Sequence, residues 1–220
     1  MKKFIRALFF LTPFFQNNSA KSQPNTYQDE ILVFKTKDSL QFPQDNSILF
    51  IGSSSIRLWN TLQDDFAGYP VLNRGFGGAC LPDLLLYSNK IIFPYHPKQI
   101  IIYCGENDLT SDAITADTVF SRFVNLYDTI RAELDSVPIV FISMKPSVSR
   151  SAIIPKITEG NAKIKQFIDS QKYISYVDVY SKMLTKDLKP DPTLFSPDML
   201  HMNEKGYAIW KETIQPYLIK

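Results

Sequence analysis

Cysteine and histidine are both scarce, with two of each in 220 residues, and each scarcity excludes a class of protein. Cys80 and Cys104 are too few for a disulfide framework and lack the paired spacing of a zinc site. They read as small buried side chains, and spacing alone leaves open whether they are bridged. No lysine- and arginine-rich face is visible, which argues against a nucleic-acid partner. No apolar run approaches the roughly 20 residues needed for a permanent membrane anchor. Internal repeats and low-complexity segments are absent as well.

What is present is ordinary globular composition, 45% hydrophobic and 21% charged, enough for one domain with a substantial core. The start is unusual. Lys2, Lys3 and Arg6 precede an apolar stretch from Ala7 to Phe15, and small residues follow at Ser19 and Ala20. This pattern reads as a secretory signal over residues 1–20; the alternative is an apolar N-terminal helix. Removing that segment takes the formal charge from +2 to −1, because it holds three basic and no acidic side chains. Residues 21–44 then read as a lead-in and an outlying amphipathic helix (Tyr27 to Leu40), and residues 45–220 as the main domain.

Within that domain strand-like and helix-like stretches alternate. Ile48 to Ile51, Tyr69 to Leu72, Gln99 to Cys104, Pro138 to Ser143 and Ile174 to Val179 are short apolar runs of the kind buried in a parallel sheet. Between them, Leu81 to Ser88, Thr118 to Leu134 and Lys156 to Gln171 carry helical patterns, and a last helix ends the chain. The alternation predicts an α/β, doubly wound sheet in three layers.

In such sheets ligands bind at the C-terminal edge of the strands, so a genuine site should draw its polar residues from the loops that leave them. Ser53, Ser54 and Ser55 leave the first strand after Gly52, at the start of a helix whose free N–H groups and dipole would favour an oxyanion. The competing reading is that these serines only cap the helix. Gly77 and Gly78 leave the second strand, Asn107 and Asp108 the third. Asp198 and His201 follow the fifth, three residues apart, so the carboxylate can hold the imidazole. His96 precedes the third strand and belongs to the opposite edge. Asn107, with the backbone N–H groups of the nucleophile and of Gly78, would make a three-donor oxyanion hole. Taken singly, D-x-x-H also reads as a helix start and GENDL as a turn.

Together these blocks resemble the SGNH hydrolases of the GDSL esterase superfamily, in the branch of acetylhydrolase-like and lysophospholipase-like esterases. Gly52-Ser53-Ser54 matches the first block, Gly78 in NRGFGG the second, Asn107 in GEND the third, and Asp198 with His201 the fourth. Ser53 stands where many members have aspartate, and Glu106 sets a carboxylate beside the asparagine. The resemblance spans about residues 45 to 215. It implies a flavodoxin-like sheet of order 2-1-3-4-5 and places the nucleophile on Ser54. It also implies a Ser54-His201-Asp198 triad, an oxyanion hole of Ser54, Gly78 and Asn107, and ester hydrolysis with no cofactor and no metal.

The expected substrate is a small-molecule or glycan ester with a short acyl group. Longer acyl chains, as in a lysophospholipase or thioesterase, are the alternative, and a non-catalytic binding module on the same fold is the alternative of another class. A metal-dependent deacetylase would recruit more than one histidine at the edge, and a flavin or nucleotide binder would carry a phosphate-cradling glycine loop after the first strand. The oligomeric state is not read from these features. Export predicts that N-terminal sequencing of the native protein begins near residue 20, in a periplasmic or secreted fraction with no stable membrane anchor. An intact Met1 in the cytoplasm contradicts it.

Overall fold

Five short apolar runs form one all-parallel sheet of order β2-β1-β3-β4-β5, the doubly wound order expected above. The computed structural model describes residues 26–220, so the signal-like segment and the start of the lead-in lie outside the described residues. In chain order the elements are α1 (Thr26–Leu40), β1 (Ile48–Gly52), α2 (Ser54–Arg57), α3 (Leu62–Asp65), β2 (Val71–Gly75), α4 (Leu81–Leu86) and α5 (Ser88–Ile91). β3 (Gln99–Tyr103), α6 (Ala116–Glu133), β4 (Ile139–Ile142), α7 (Ile154–Ile168), β5 (Ile174–Val177) and α8 (Glu204–Ile214) complete the fold. Among the described residues no helix is long and apolar enough to cross a membrane.

Strand side chains alternate between faces, so each strand feeds two cores. Leu49, Ile51, Ile100, Ile102, Ile139 and Phe141 pack on one side with α1, α4, α6 and α7. Ile48, Phe50, Ile101, Tyr103, Val140 and Ile142 pack on the other with Trp59 and with Trp210 of α8. β1, β3 and β4 are buried along their whole length, which is why they lack any polar alternation. Each fully buried aliphatic side chain contributes about 1.5–3 kcal/mol by removal from water.

Two differences from the sequence reading bear on the site. β2 begins at Val71 and runs on to Gly75, past the apolar Tyr69-to-Leu72 stretch and into two polar residues. The strand tolerates them because each has a partner outside the sheet. Asn73 Nδ2 donates to the Ile56 carbonyl at 2.7 Å. The buried Arg74 donates to Asp38 of α1 at 2.5 Å and to the Tyr95 hydroxyl at 2.8 Å, its guanidinium lying 5.0 Å from the Phe34 ring centre and 4.6 Å from that of Tyr95. The same contacts correct the second reading: α1 is not an outlying helix but is pinned to the sheet through Asp38 and the buried Ile31.

Candidate active site

The three serines are separated by backbone geometry. Gly52 ends β1 at φ +148, and a Cβ there would lie 2.0 Å from the Tyr103 carbonyl oxygen; only glycine lets β1 and β3 leave the sheet side by side. Ser53 then takes the extended N-cap conformation, and its side chain makes no capping hydrogen bond. Ser53 and Ser55 are both buried. Ser54 opens the single turn of α2 and is the one whose hydroxyl meets a base, with Oγ 3.0 Å from His201 Nε2. The helix is only four residues long, so its contribution is a free N–H more than the strong dipole expected from sequence. Tyr207 of α8 steadies the turn by donating to the Ser55 carbonyl at 3.0 Å.

His201 is held from behind. Its Nδ1 lies 2.6 Å from Asp198 Oδ2, and Asp198 Oδ1 accepts from the Leu200 and His201 amides at 2.9 Å each. Burial pushes the Asp198 carboxyl up, but the bonds from His201 and those two amides outweigh it and hold it at about 2. The carboxylate therefore stays charged at neutral pH, so Nδ1 carries the imidazole proton and Nε2 is left to accept from the Ser54 hydroxyl. The loop that carries the pair is fixed by Asn203, which caps α8 through Lys205 N at 2.9 Å and Gly206 N at 3.2 Å and also donates to the Thr193 and Phe195 carbonyls. Such caps are worth about 1 kcal/mol. His96 is exposed, in a left-handed conformation just before β3 at the opposite edge.

The second and third strands deliver the remaining groups. Gly78 adopts φ +73, a conformation glycine takes without strain. Its carbonyl accepts from Tyr27 of α1 at 3.1 Å, and the preceding Gly77 N–H donates to Glu30 at 3.0 Å. The glycine loop is thus clamped by the helix that sequence reading set apart. Among the described residues neither Ser54 N–H nor Gly78 N–H has a hydrogen-bond partner. Asn107 Nδ2 donates one hydrogen to the Ala79 carbonyl at 2.9 Å, which ties it to the loop carrying Gly78 and leaves its second amide hydrogen free. Asp108 points away, accepting from Leu81 N at 3.0 Å and pairing with Arg122 at 2.7 Å.

Sequence reasoning missed the contribution of the fourth strand. Lys145, Ser147 and Arg150, in the loop after β4, converge on the buried Glu106: Lys145 Nζ at 2.8 Å, Ser147 Oγ at 3.0 Å and Arg150 at 3.0 Å, with the Tyr103 hydroxyl also donating. Burial raises the Glu106 pKa, but Lys145 and Arg150 outweigh it and hold it below its ordinary value. The signal was available, since a carboxylate at a buried strand exit needs a cation, and Lys145 stands at the same edge. Cys80 and Cys104 are free. Burial pushes the Cys80 thiol up to about 12 and the Cys104 thiol well above its ordinary value, so neither is poised as a thiolate nucleophile.

The pattern of the GDSL-like lipase/acylhydrolase family matches residues 48–209. A solved GDSL-like lipase from Bacteroides thetaiotaomicron is 20% identical, with a TM-score of 0.73 over 85% of this chain and 96% of that one. The lipase/acylhydrolase from Enterococcus faecalis is 20% identical, with a TM-score of 0.62 over 79% and 97%. A variant of an acetyl-xylooligosaccharide esterase from Geobacillus is 14% identical, with a TM-score of 0.63 over 81% and 96%. At these identities the likeness is one of fold. No curated protein matches the chain at a significant level.

Proposed function

Because the chain belongs to the GDSL-like lipase/acylhydrolase family, we propose that it is a serine esterase that removes short acyl groups, acetyl above all, from a polar alcohol such as a glycan. The observation that carries this reading is the unbroken relay from Asp198 Oδ2 through His201 to Ser54 Oγ, at 2.6 Å and 3.0 Å. Ser54 attacks the acyl carbon as His201 Nε2 takes its proton, and Asp198 stabilises the resulting imidazolium. The oxyanion is received by the free N–H groups of Ser54 and Gly78 and by the second amide hydrogen of Asn107. His201 returns the proton to the leaving alcohol. Water, deprotonated by the same nitrogen, then releases the acid and restores Ser54. None of these steps needs a cofactor. We also propose that the enzyme acts outside the cytoplasm, on the strength of the basic and apolar start of the chain.

The short-chain reading is supported by where apolar space lies. A cavity of about 600 Å³ between α1 and α5, lined by Ile31, Phe42 and Tyr95 among others, touches none of Ser54, Gly78, Asn107 and His201. A more polar open cleft of about 950 Å³, lined by Asn60, Asn203, Lys205 and Tyr207 among others, also touches none of the four, though Leu58 and Met202 on its wall follow the Ser54 turn and His201 in the chain. It suits a hydrated alcohol better than an acyl tail. The loop from Met144 to Pro155 is partly committed inward, because Lys145, Pro146 and Ser147 are buried.

Ser54→Ala and His201→Ala should each lower kcat by about a thousandfold or more without unfolding the protein, whereas Ser53→Ala and His96→Ala stay within a few-fold. A dead Ser53→Ala with an active Ser54→Ala contradicts the assignment. Across 4-nitrophenyl esters, kcat/KM should peak at about two to four acyl carbons. A chain-binding enzyme would instead gain about 0.8 kcal/mol per buried methylene and keep rising. An optimum at eight carbons or beyond replaces the acetyl reading with the lysophospholipase-like one and leaves the catalytic assignment intact.

A further inference from the structure

Arg150 joins the buried ion cluster to the reacting edge. One guanidinium nitrogen pairs with Glu106 Oε1 at 3.0 Å, and another donates to Asn107 Oδ1 at 2.8 Å. We propose that Arg150 is a positioning residue for ester hydrolysis: it locks and polarises the Asn107 carboxamide so that the remaining Nδ2 hydrogen is aimed at the oxyanion. The inference rests on the esterase reading above.

The orientation of the carboxamide is over-determined by its two partners. Arginine can only donate, so it selects Oδ1; the Ala79 carbonyl can only accept, so it selects Nδ2. With both ends engaged the amide cannot flip, and one Nδ2 hydrogen is left over. Positive charge at Oδ1 draws electron density from the amide nitrogen, making that hydrogen a better donor to a developing oxyanion. The guanidinium is itself held. Glu106 anchors it, and Lys145 and Ser147 keep Glu106 from turning elsewhere. The loop carrying Arg150 is in turn tied to the triad loop, because Ser149 N donates to the Met199 carbonyl at 3.0 Å. Arg150 keeps 18% of its side chain exposed, against 2% for Lys145 and 4% for Glu106, so it stands at the boundary between the sealed cluster and the open edge. Lysine at this place could not serve both partners, because the two contacts use the planar fork of the guanidinium.

The test is a double-mutant cycle on the full chain with 4-nitrophenyl acetate as the probe. Arg150→Ala should lower kcat by about 10–100-fold with KM changed by less than about threefold, as expected for an interaction that matters mainly in the transition state. In the Asn107→Ala background the same change should cost less than about threefold, because its effect is routed through the missing amide. Arg150→Lys, which retains a cation beside Glu106, should fold even where Arg150→Ala does not, and should still lose most of kcat. Unchanged kcat in either folded variant overturns the proposal. Losses that multiply in the double variant overturn it too, since Arg150 would then act independently of Asn107. A wild-type protein that hydrolyses no ester brings down the esterase reading beneath it, a result distinct from an active wild type with indifferent Arg150 variants.

Discussion

The close approach of Gly52 to the Tyr103 carbonyl is the constraint on which the site depends. Where a side chain would begin, there is a backbone oxygen 2.0 Å away, so the first and third strands can leave the sheet in contact. Hydrogen bonds exploit that contact on both sides: Ser53 N donates to Tyr103 O at 3.1 Å, and Phe76 N donates to Gly52 O at 3.0 Å. The exits of three neighbouring strands are thereby locked in register. Ser54, the Gly77–Gly78 loop and Asn107 are placed by backbone packing, which is stiffer than any arrangement made by long side chains alone.

Around this frame the fold gathers two polar systems of different character. The Ser54, His201 and Asp198 relay is open to solvent and depends on hydrogen-bond geometry. The Glu106, Lys145, Arg150 cluster is sealed and depends on charge balance. A buried ion cluster is a poor source of net stability, yet removing one partner from such a pair costs about 3–5 kcal/mol because the other is left unpaired. Its effect here is to specify where the loop after β4 lies. That loop then bears on Asn107 through Arg150 and on the Asp198 loop through Ser149. The helix α1 acts on the other flank, with Tyr27 and Glu30 clamping the glycine loop.

Local pattern made much of this legible. Uninterrupted apolar runs announced β1, β3 and β4 because strands buried on both faces have no polar positions to confuse the reading. Requiring polar residues to fall at strand exits brought Ser54, Gly78, Asn107, Asp198 and His201 to one edge and set His96 at the other. Long-range partners stayed hidden. The slip in β2 arose because Asn73 and Arg74 are satisfied by Ile56, Asp38 and Tyr95, none of them adjacent in sequence. Helix α1 looked separate for the same reason, its role carried by single contacts of Tyr27, Glu30 and Asp38. The convergence of Glu106 with Lys145 and Arg150 spans about forty residues and follows no periodicity, so only the fold displays it.

The central claim is that Ser54, alone among three adjacent serines, is the activated nucleophile. A fluorophosphonate probe reports this directly, because it forms a stable covalent adduct only with a serine whose hydroxyl is paired to a base and faces an oxyanion site. Labelling the intact protein, digesting it and locating the adduct by peptide fragmentation should place it on Ser54, with labelling abolished in Ser54→Ala and slowed by orders of magnitude in His201→Ala. An adduct on Ser53 or Ser55, or a protein that hydrolyses esters while leaving Ser54 unlabelled, would contradict the account.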